Sequence, residues 1–94
     1  MNLPAIFVEL IGTFLFLYII ISTSNPLVIG STLAFLIYMG LDYSGAHFNP
    51  AVTMMMLYNN GITFDNASGY IIAQTIGALM AVTFHNKIKQ HARL

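Results

Sequence analysis

The feature that most constrains this chain is its beginning, where residues 3–21 read LPAIFVELIGTFLFLYIII and carry a single charge, on Glu9. About 20 apolar residues are what a helix needs to cross roughly 30 Å of hydrocarbon. Across the chain 6% of residues are charged, against about 25% in soluble domains. The sequence therefore predicts an integral membrane protein whose first transmembrane helix covers about residues 3–22.

Other classes of protein fit these features poorly. A cleaved signal peptide is the alternative for the first segment, but the start MNLP lacks Lys and Arg and no small-residue cleavage site follows. The formal net charge is zero, so the chain offers no basic surface to nucleic acid. The absence of cysteine removes disulfides and thiolate metal sites. We therefore expect no nucleic-acid partner.

Two further segments are expected to span the membrane. Residues 26–43 follow the polar turn STSNP and begin with Pro26, whose missing N–H is not needed in a first helical turn. Residues 67–86 follow the polar loop NNGITFDN and form the last span. Residues 86–94 make a polar tail that holds all three basic side chains. We expect this tail to lie in water or among lipid headgroups.

Small residues recur at every fourth position of the last span, at Gly69, Ala73, Gly77 and Ala81. In a bilayer, helices associate without a hydrophobic drive, and small residues let their backbones approach closely. The stripe therefore predicts that this helix packs tightly against a neighbour.

The segment over residues 44–58 is too short to cross a membrane. Its helical part begins with Asn49 as the N-cap and Pro50 as the first residue, and it stops after about nine residues, at Tyr58. The polar, glycine-bearing backbone before it survives at membrane depth only where protein or a water-filled cavity lines it. The pattern predicts a re-entrant loop and half-helix, which is a first indication of a pore.

The side chain of Asn49 suits such a pore on physical grounds. Its oxygen can cap the half-helix while its NH2 group remains free to donate to a passing water. A neutral amide at the positive end of a helix disfavours cations, whereas a carboxylate there would attract them. The alternative is that Asn49 is a turn cap with no part in transport.

Three motifs follow one another along the chain. They are ELIGTF from Glu9 to Phe14, GAHFNPAVT from Gly45 to Thr53, and YIIAQTIGALMA from Tyr70 to Ala81. Together they resemble the first half of the major intrinsic proteins, the aquaporins and aquaglyceroporins. The resemblance implies an all-α membrane protein with three transmembrane helices and one re-entrant NPA half-helix. It makes residues 1–94 a single half-aquaporin domain, which is half of an inverted repeat.

The resemblance implies two groups of pore-facing residues around the NPA motif. The residues that line the pore at the motif are Asn49, Pro50, Ala51 and Val52. The backbone carbonyls that lead water to the motif form a ladder at Gly45, Ala46, His47 and Phe48. For His47 the alternatives are a hydrogen-bonded vestibule residue and a gating or proton-sensing residue, since its charge changes near neutral pH.

The resemblance also implies residues that support the loop. Glu9 would accept hydrogen bonds from the NPA loop, and Gln74 would brace the loop from the last span. The alternative for Glu9 is a proton relay, because a carboxylate inside a membrane is costly unless it finds donors or a proton. Gly69 and Gly77 are expected to serve helix packing.

Counting back from Asn49 without gaps extends the resemblance to the pore wall. Ile29, twenty residues before Asn49, falls at the filter position of the second helix, with Gly30 beside it as a close-packing site. Phe16 and Leu33 fall at apolar wall positions. The alternative for all three apolar side chains is lipid-facing or core packing, and Phe35 takes the filter position only if the alignment slips.

Members of the resembled family contain two such halves, and this chain contains one. Val52 follows the motif here, whereas an Arg follows the NPA of the second half in the family. The first hypothesis is a passive channel for water, and for glycerol or other small neutral solutes, that assembles from two or more chains in a lipid bilayer. A homo-oligomer is expected, for which an antiparallel pair is one arrangement. The alternative is a non-conducting fragment or modulatory subunit that associates with a full-length aquaporin.

No residue pattern points to catalysis. The chain shows no nucleophile beside a base and no phosphate-binding loop, and the spacing of His47, His85 and His91 suggests no common site. We expect no enzyme activity, no catalytic residues, no bound metal and no cofactor.

Overall fold

The computed structural model describes residues 1–92, and their regular structure consists of four helices: α1 (Leu3–Ser22), α2 (Pro26–Ser44), α3 (Pro50–Tyr58) and α4 (Phe64–Ala92). Three of these, α1, α2 and α4, are long and apolar enough to cross a membrane. The prediction of an all-α membrane protein with three spanning helices and a short helix between the second and third is confirmed.

The first three helices begin in the same way, with an asparagine cap followed closely by proline. The cap oxygen accepts a backbone N–H at the helix start, with distances of 3.1 Å from Asn2 to Ala5, 2.9 Å from Asn25 to Leu27 and 2.8 Å from Asn49 to Ala51. Each oxygen satisfies one of the N–H groups that a helix start leaves without an intrahelical partner. The local sequence thus determines where each of these helices begins.

The last helix is longer than the expected span over residues 67–86. It begins at Phe64 because Thr63 precedes it as a cap, with its side-chain oxygen 3.2 Å from the N–H of Asn66. It continues to Ala92 through the sequence KIKQHA, whose Lys, Gln and Ala are good helix formers.

The expected polar tail over residues 86–94 is therefore a helical continuation of α4 as far as Ala92. Its last two residues, Arg93 and Leu94, lie outside the described residues. The 29 residues of α4 make a helix about 43 Å long. This exceeds the roughly 30 Å of hydrocarbon, so one end of α4 extends beyond it.

Helix α1 lies between α2 and α4, and α3 packs on α4. The backbone N–H of Asn2 donates to the side chain of Asn66 at 2.7 Å, and Ser22 lies 3.4 Å from the ring of His85 at the other end. The two helices α1 and α4 therefore run in the same direction along their whole shared length.

The close contact between α1 and α4 involves the small residues of α4. All four members of the stripe, Gly69, Ala73, Gly77 and Ala81, are buried. A Cβ atom on Gly77 would lie 2.8 Å from the carbonyl oxygen of Leu10 and 3.1 Å from the backbone nitrogen of Phe14. The missing side chain at Gly77 is what allows the two backbones to approach this closely.

Candidate functional site

Residues 45–49 link α2 to α3 through an unusual backbone. Gly45, Ala46 and Phe48 all have positive φ values, of 82°, 53° and 52°. For a residue other than glycine, the left-handed region costs about 1–2 kcal/mol. Two such residues in one short loop persist only when surrounding contacts hold them there.

The main contact of this kind is the side chain of Glu9, which is 0% exposed. One carboxylate oxygen, Oε2, accepts from the Ser44 hydroxyl at 2.6 Å and the His47 N–H at 3.0 Å. The other, Oε1, accepts from the Phe48 N–H at 2.8 Å and the Gln74 side-chain amide at 2.9 Å. Four donors on one carboxylate offset the cost of burying it.

Two hydroxyl groups tie the start of the loop to the rest of the protein. The Ser44 oxygen accepts from the N–H of Ala46 at 3.0 Å while its own proton goes to Glu9. The Tyr70 hydroxyl on α4 donates to the Ser44 carbonyl at 2.6 Å. Neither Ser44 nor Tyr70 was identified as a site residue from the sequence.

A third hydroxyl, on Thr53 of α3, joins the loop to α4. It accepts from the Gln74 amide at 3.0 Å and lies 2.8 Å from Nδ1 of His47. The imidazole of His47 also packs edge-on against Tyr70, with 5.0 Å between ring centres. Thr53 is 0% exposed and His47 is 8% exposed, so both side chains belong to the interior of this single chain.

The backbone N–H groups of Ala46, His47 and Phe48 all point into this buried network. In a trans peptide the N–H and the preceding carbonyl point in opposite directions, and the described residues contain no cis peptide. The carbonyls of Gly45, Ala46 and His47 therefore point away from Glu9. No described residue donates a hydrogen bond to them, which leaves three successive acceptors free.

The fourth expected carbonyl, that of Phe48, shares its peptide with the N–H of Asn49. That N–H makes no hydrogen bond to Glu9 or to another described residue. Hydrogen bonds of the neighbouring N–H groups therefore orient three of the four carbonyls of the expected ladder away from Glu9.

Asn49 lies at the end of this row of carbonyls and at the start of α3. Its side-chain oxygen accepts from the N–H of Ala51 at 2.8 Å, and its NH2 group has no partner among the described residues. Asn49, Pro50 and Ala51 are exposed and Val52 is half-buried. The loop and the motif thus combine three carbonyls that accept no hydrogen bond from the described residues with one free NH2 donor.

The ring of Phe48 anchors the loop between α1 and α2. It is 3% exposed and occupies the space that a side chain at Gly12 would fill, while a Cβ atom on Gly40 would lie 3.0 Å from it. It forms a cluster with Leu36 and Ala46. Gly12 was not assigned a role from the sequence, although it lies within the ELIGTF motif.

The residues expected on the pore wall differ in their surroundings. Phe16 and Leu33 pack against the cluster around Phe48, so part of their surface serves the interior, as the alternative interpretation allowed. Ile29 is half-buried. Gly30 has no atom within 4 Å of its missing Cβ, so the described residues make no close contact at this glycine.

The spanning helices and the polar loop between them define an integral membrane protein with a re-entrant segment. The sequence pattern of the family described as "Major intrinsic protein" matches residues 24–93. The chain belongs to this family, whose members are channels and not enzymes. The family predicted from the motifs and the membrane location predicted from the apolar segments are confirmed.

Several relatives match most of the chain. It is 42% identical over 82 residues to glycerol uptake facilitator protein-like 6 of Lactiplantibacillus plantarum, covering 78% of this chain and 38% of the relative. It is 37% identical over 91 residues to aquaporin-B of Dictyostelium discoideum, covering 82% and 31%. No solved structure gives a significant match. The chain thus spans about a third of the length of the curated relatives that it matches.

Proposed function

We propose that this chain forms a passive channel for water, and for glycerol or other small neutral solutes, by assembly of two or more copies in the bilayer. The observation that carries the proposal is the loop geometry. Three free carbonyls, at residues 45–47, lead to the free NH2 group of Asn49. Acceptors followed by a donor are what a file of water molecules needs in place of its bulk hydrogen bonds.

The contacts of Glu9 support a bracing role over a proton relay. All four of its hydrogen bonds come from donors of the end of α2, the loop and α4, so its charge is used to hold the backbone in place. In the same way, the contacts of His47 with Thr53 and Tyr70 favour a hydrogen-bonded structural residue over a gate.

Assembly is part of the proposal because one chain leaves its motif uncovered. Asn49, Pro50 and Ala51 are all exposed, although they lie at the start of a helix that is too short to cross the membrane. In an antiparallel pair, two half-helices would meet end to end at mid-membrane. Two positive helix ends and two neutral amides would then face the same water and disfavour cations.

An antiparallel pair requires that the chain insert in both orientations. Lys87 and Lys89 lie at one end of the molecule, while Asp42 and Asp65 lie at the other. Basic residues favour the cytoplasmic side, but so few charges give a small bias. Reporter fusions at both termini should detect both orientations, and a single orientation in every molecule contradicts the antiparallel pair.

Water efflux from vesicles tests the proposed conduction. Proteoliposomes that contain the purified chain should shrink faster under osmotic stress than empty vesicles, as measured by stopped-flow light scattering. Asn49→Asp should change this rate and admit cations, because it places a negative charge beside the free carbonyls.

The matched control is Asn86→Asp, which adds the same charge on the exposed end of α4, far from the motif. It should leave both water efflux and cation leak as in the unchanged chain. Efflux no faster than from empty vesicles, with the protein folded and inserted, contradicts conduction by this chain alone.

Selectivity should be weaker than in full-length relatives. Val52, a neutral half-buried side chain, follows the motif, and no arginine stands there to repel cations. We therefore expect glycerol to pass through the same vesicles and larger neutral solutes to be excluded less sharply. Strict selectivity for water contradicts this expectation.

The second candidate is a non-conducting subunit of a full-length channel. The observation that favours it is the same exposed face of Asn49, Pro50 and Ala51, which another protein of the family can cover as well as a second copy can. In that case the purified chain gives no efflux, and it changes the efflux of a full-length channel reconstituted with it.

A further inference from the structure

The outer surface between α1 and α4 carries an apolar groove that the channel proposal does not use. It has a volume of about 640 Å³ and is lined by Phe14, Ile76, Leu79, Met80, Phe84 and Lys87, together with Thr83. The volume lies within the range of about 300–1,000 Å³ that is typical of small-molecule pockets. Leu79 and Phe84 are 62% and 51% exposed, so the described chain itself does not cover the groove.

The stretch of the groove from Ile76 to Lys87 matches one leaflet of a bilayer, and a second apolar groove that shares Ile76 continues from it towards the other end of α1 and α4. Ile76 and Lys87, at its two ends, are eleven positions apart on α4, which is about 16 Å along a helix. Half of the hydrocarbon core is about 15 Å. With one edge of the hydrocarbon core placed just beyond Asp65, about twenty residues of α4 cross it, and its other edge lies near residue 85. Ile76 then lies near mid-membrane and Lys87 at the level of the headgroups.

The charge at the outer end of the groove is positive and has no ion-pair partner among residues 1–92. Lys87 is the one charged residue that lines the groove, and no described carboxylate forms a salt bridge with it. Glu9 is buried among its own donors, and Asp42 and Asp65 lie at the opposite end of the molecule. A lysine there can lay its stem along the apolar wall and hold its ammonium group among headgroups.

We propose that this groove binds one anionic glycerophospholipid, with an acyl chain along Phe14, Leu79 and Phe84 and the phosphate group at Lys87. The site matches both parts of such a lipid, since an apolar trough as long as one leaflet is deep ends at a cation at the level of the headgroups. This site is independent of whether the chain conducts.

Native mass spectrometry of the purified, delipidated chain tests the site. Phosphatidylglycerol and phosphatidylcholine with identical acyl chains are added separately, and the bound fraction is measured. Phosphatidylglycerol should bind about five-fold more tightly, the factor that corresponds to about 1 kcal/mol for one basic side chain at an anionic surface. Lys87→Gln should remove this preference, and Lys87→Arg should keep it.

The matched control is Lys89→Gln, which removes the same charge two positions further on, about 200° around the helix. It should change the affinity less than two-fold. If Lys87→Gln and Lys89→Gln lower the affinity for phosphatidylglycerol equally, the lipid is attracted to the basic end of the helix as a whole. That result overturns the proposed site. So does a Lys87→Gln variant that keeps the full preference.

The groove is tested separately from the cation. Thr83→Trp fills the trough and should weaken binding of both lipids. Glycerol phosphate, which has the headgroup charge but no acyl chain, should fail to displace bound phosphatidylglycerol at equal concentration. Displacement by glycerol phosphate overturns the proposal. The proposal is also overturned if Thr83→Trp changes the fraction of dimer but leaves the amount of bound lipid unchanged. In that case a second copy of the chain, and not a lipid, occupies the groove.

Discussion

Replacing Glu9 with glutamine is expected to lower the free energy of unfolding by about 3–5 kcal/mol. The substitution keeps the shape of the side chain but replaces one acceptor oxygen with an NH2 donor. Each carboxylate oxygen accepts two hydrogen bonds, and three of the four donors belong to the segment over residues 44–48. At least one backbone N–H then faces another donor in a site that water does not reach, while Ala46 and Phe48 keep their strained backbone.

The loss can be measured by denaturant titration in mixed micelles, followed by helical circular dichroism. Asp65→Asn is the control, because it makes the same chemical change at a side chain that is 63% exposed and whose ion pair with the N-terminus, at 3.1 Å, is open to water. It should shift the free energy of unfolding by no more than about 1 kcal/mol. A Glu9→Gln variant as stable as Asp65→Asn contradicts the role assigned to the buried carboxylate.

Replacing Gly77 with alanine is expected to destabilise the chain by about 1–3 kcal/mol, the usual cost of forcing an extra group into a packed interior. The added methyl group would lie 2.8 Å from the Leu10 carbonyl oxygen. Backbone atoms cannot rotate aside as a flexible side chain can, so α1 and α4 must move apart. The same denaturant titration measures the loss.

Gly30→Ala is the matched control, since it makes the same substitution inside a spanning helix. Nothing lies within 4 Å of the added Cβ atom, and alanine is the better helix former. The free energy of unfolding of the isolated chain should stay level or rise slightly. Equal losses at Gly30 and Gly77 mean that the contact between α1 and α4 is not what makes glycine necessary.

The helices could be predicted from sequence because their signals are local. Apolar length marked the three spans, and Asn49 with Pro50 marked the start of the half-helix. The end of α4 was less predictable. Hydropathy falls after Phe84 although helix propensity does not, so a polar tail was expected where the helix continues to Ala92.

The network around the loop could be predicted only in part. Glu9 and Gln74 were singled out through the resemblance to a family. Ser44, Thr53 and Tyr70 were missed, because a hydroxyl group carries no local sign that it will be buried opposite a partner 20 or more positions away. The nearest available signal was the position of Thr53 and Tyr70 inside the conspicuous motifs.

The same limit applies to the slot that holds Phe48. A glycine in an apolar segment indicates helix packing only in general terms. Only the folded chain brings Gly12 and Gly40 against the same aromatic ring. Contacts of this kind depend on how α1, α2 and the loop are placed together. No periodicity within one segment carries that information.

Cysteine cross-linking tests most directly whether two copies bring the starts of their half-helices together at mid-membrane, as the proposed pore requires. The natural chain has no cysteine, so a single introduced thiol reports on a single contact. Ala51 is exposed at the start of α3, and Tyr58, 88% exposed, lies at its other end. In an antiparallel pair the two Ala51 positions are close, whereas the two Tyr58 positions are at least about 20 Å apart.

A short bifunctional thiol reagent, added to the folded variants in membranes, should therefore convert Ala51→Cys into a covalent dimer and leave Tyr58→Cys monomeric. Dimer yield is read from a denaturing gel. A dimer from Tyr58→Cys but not from Ala51→Cys, or no dimer from either variant, contradicts the assembly and with it the proposed pore.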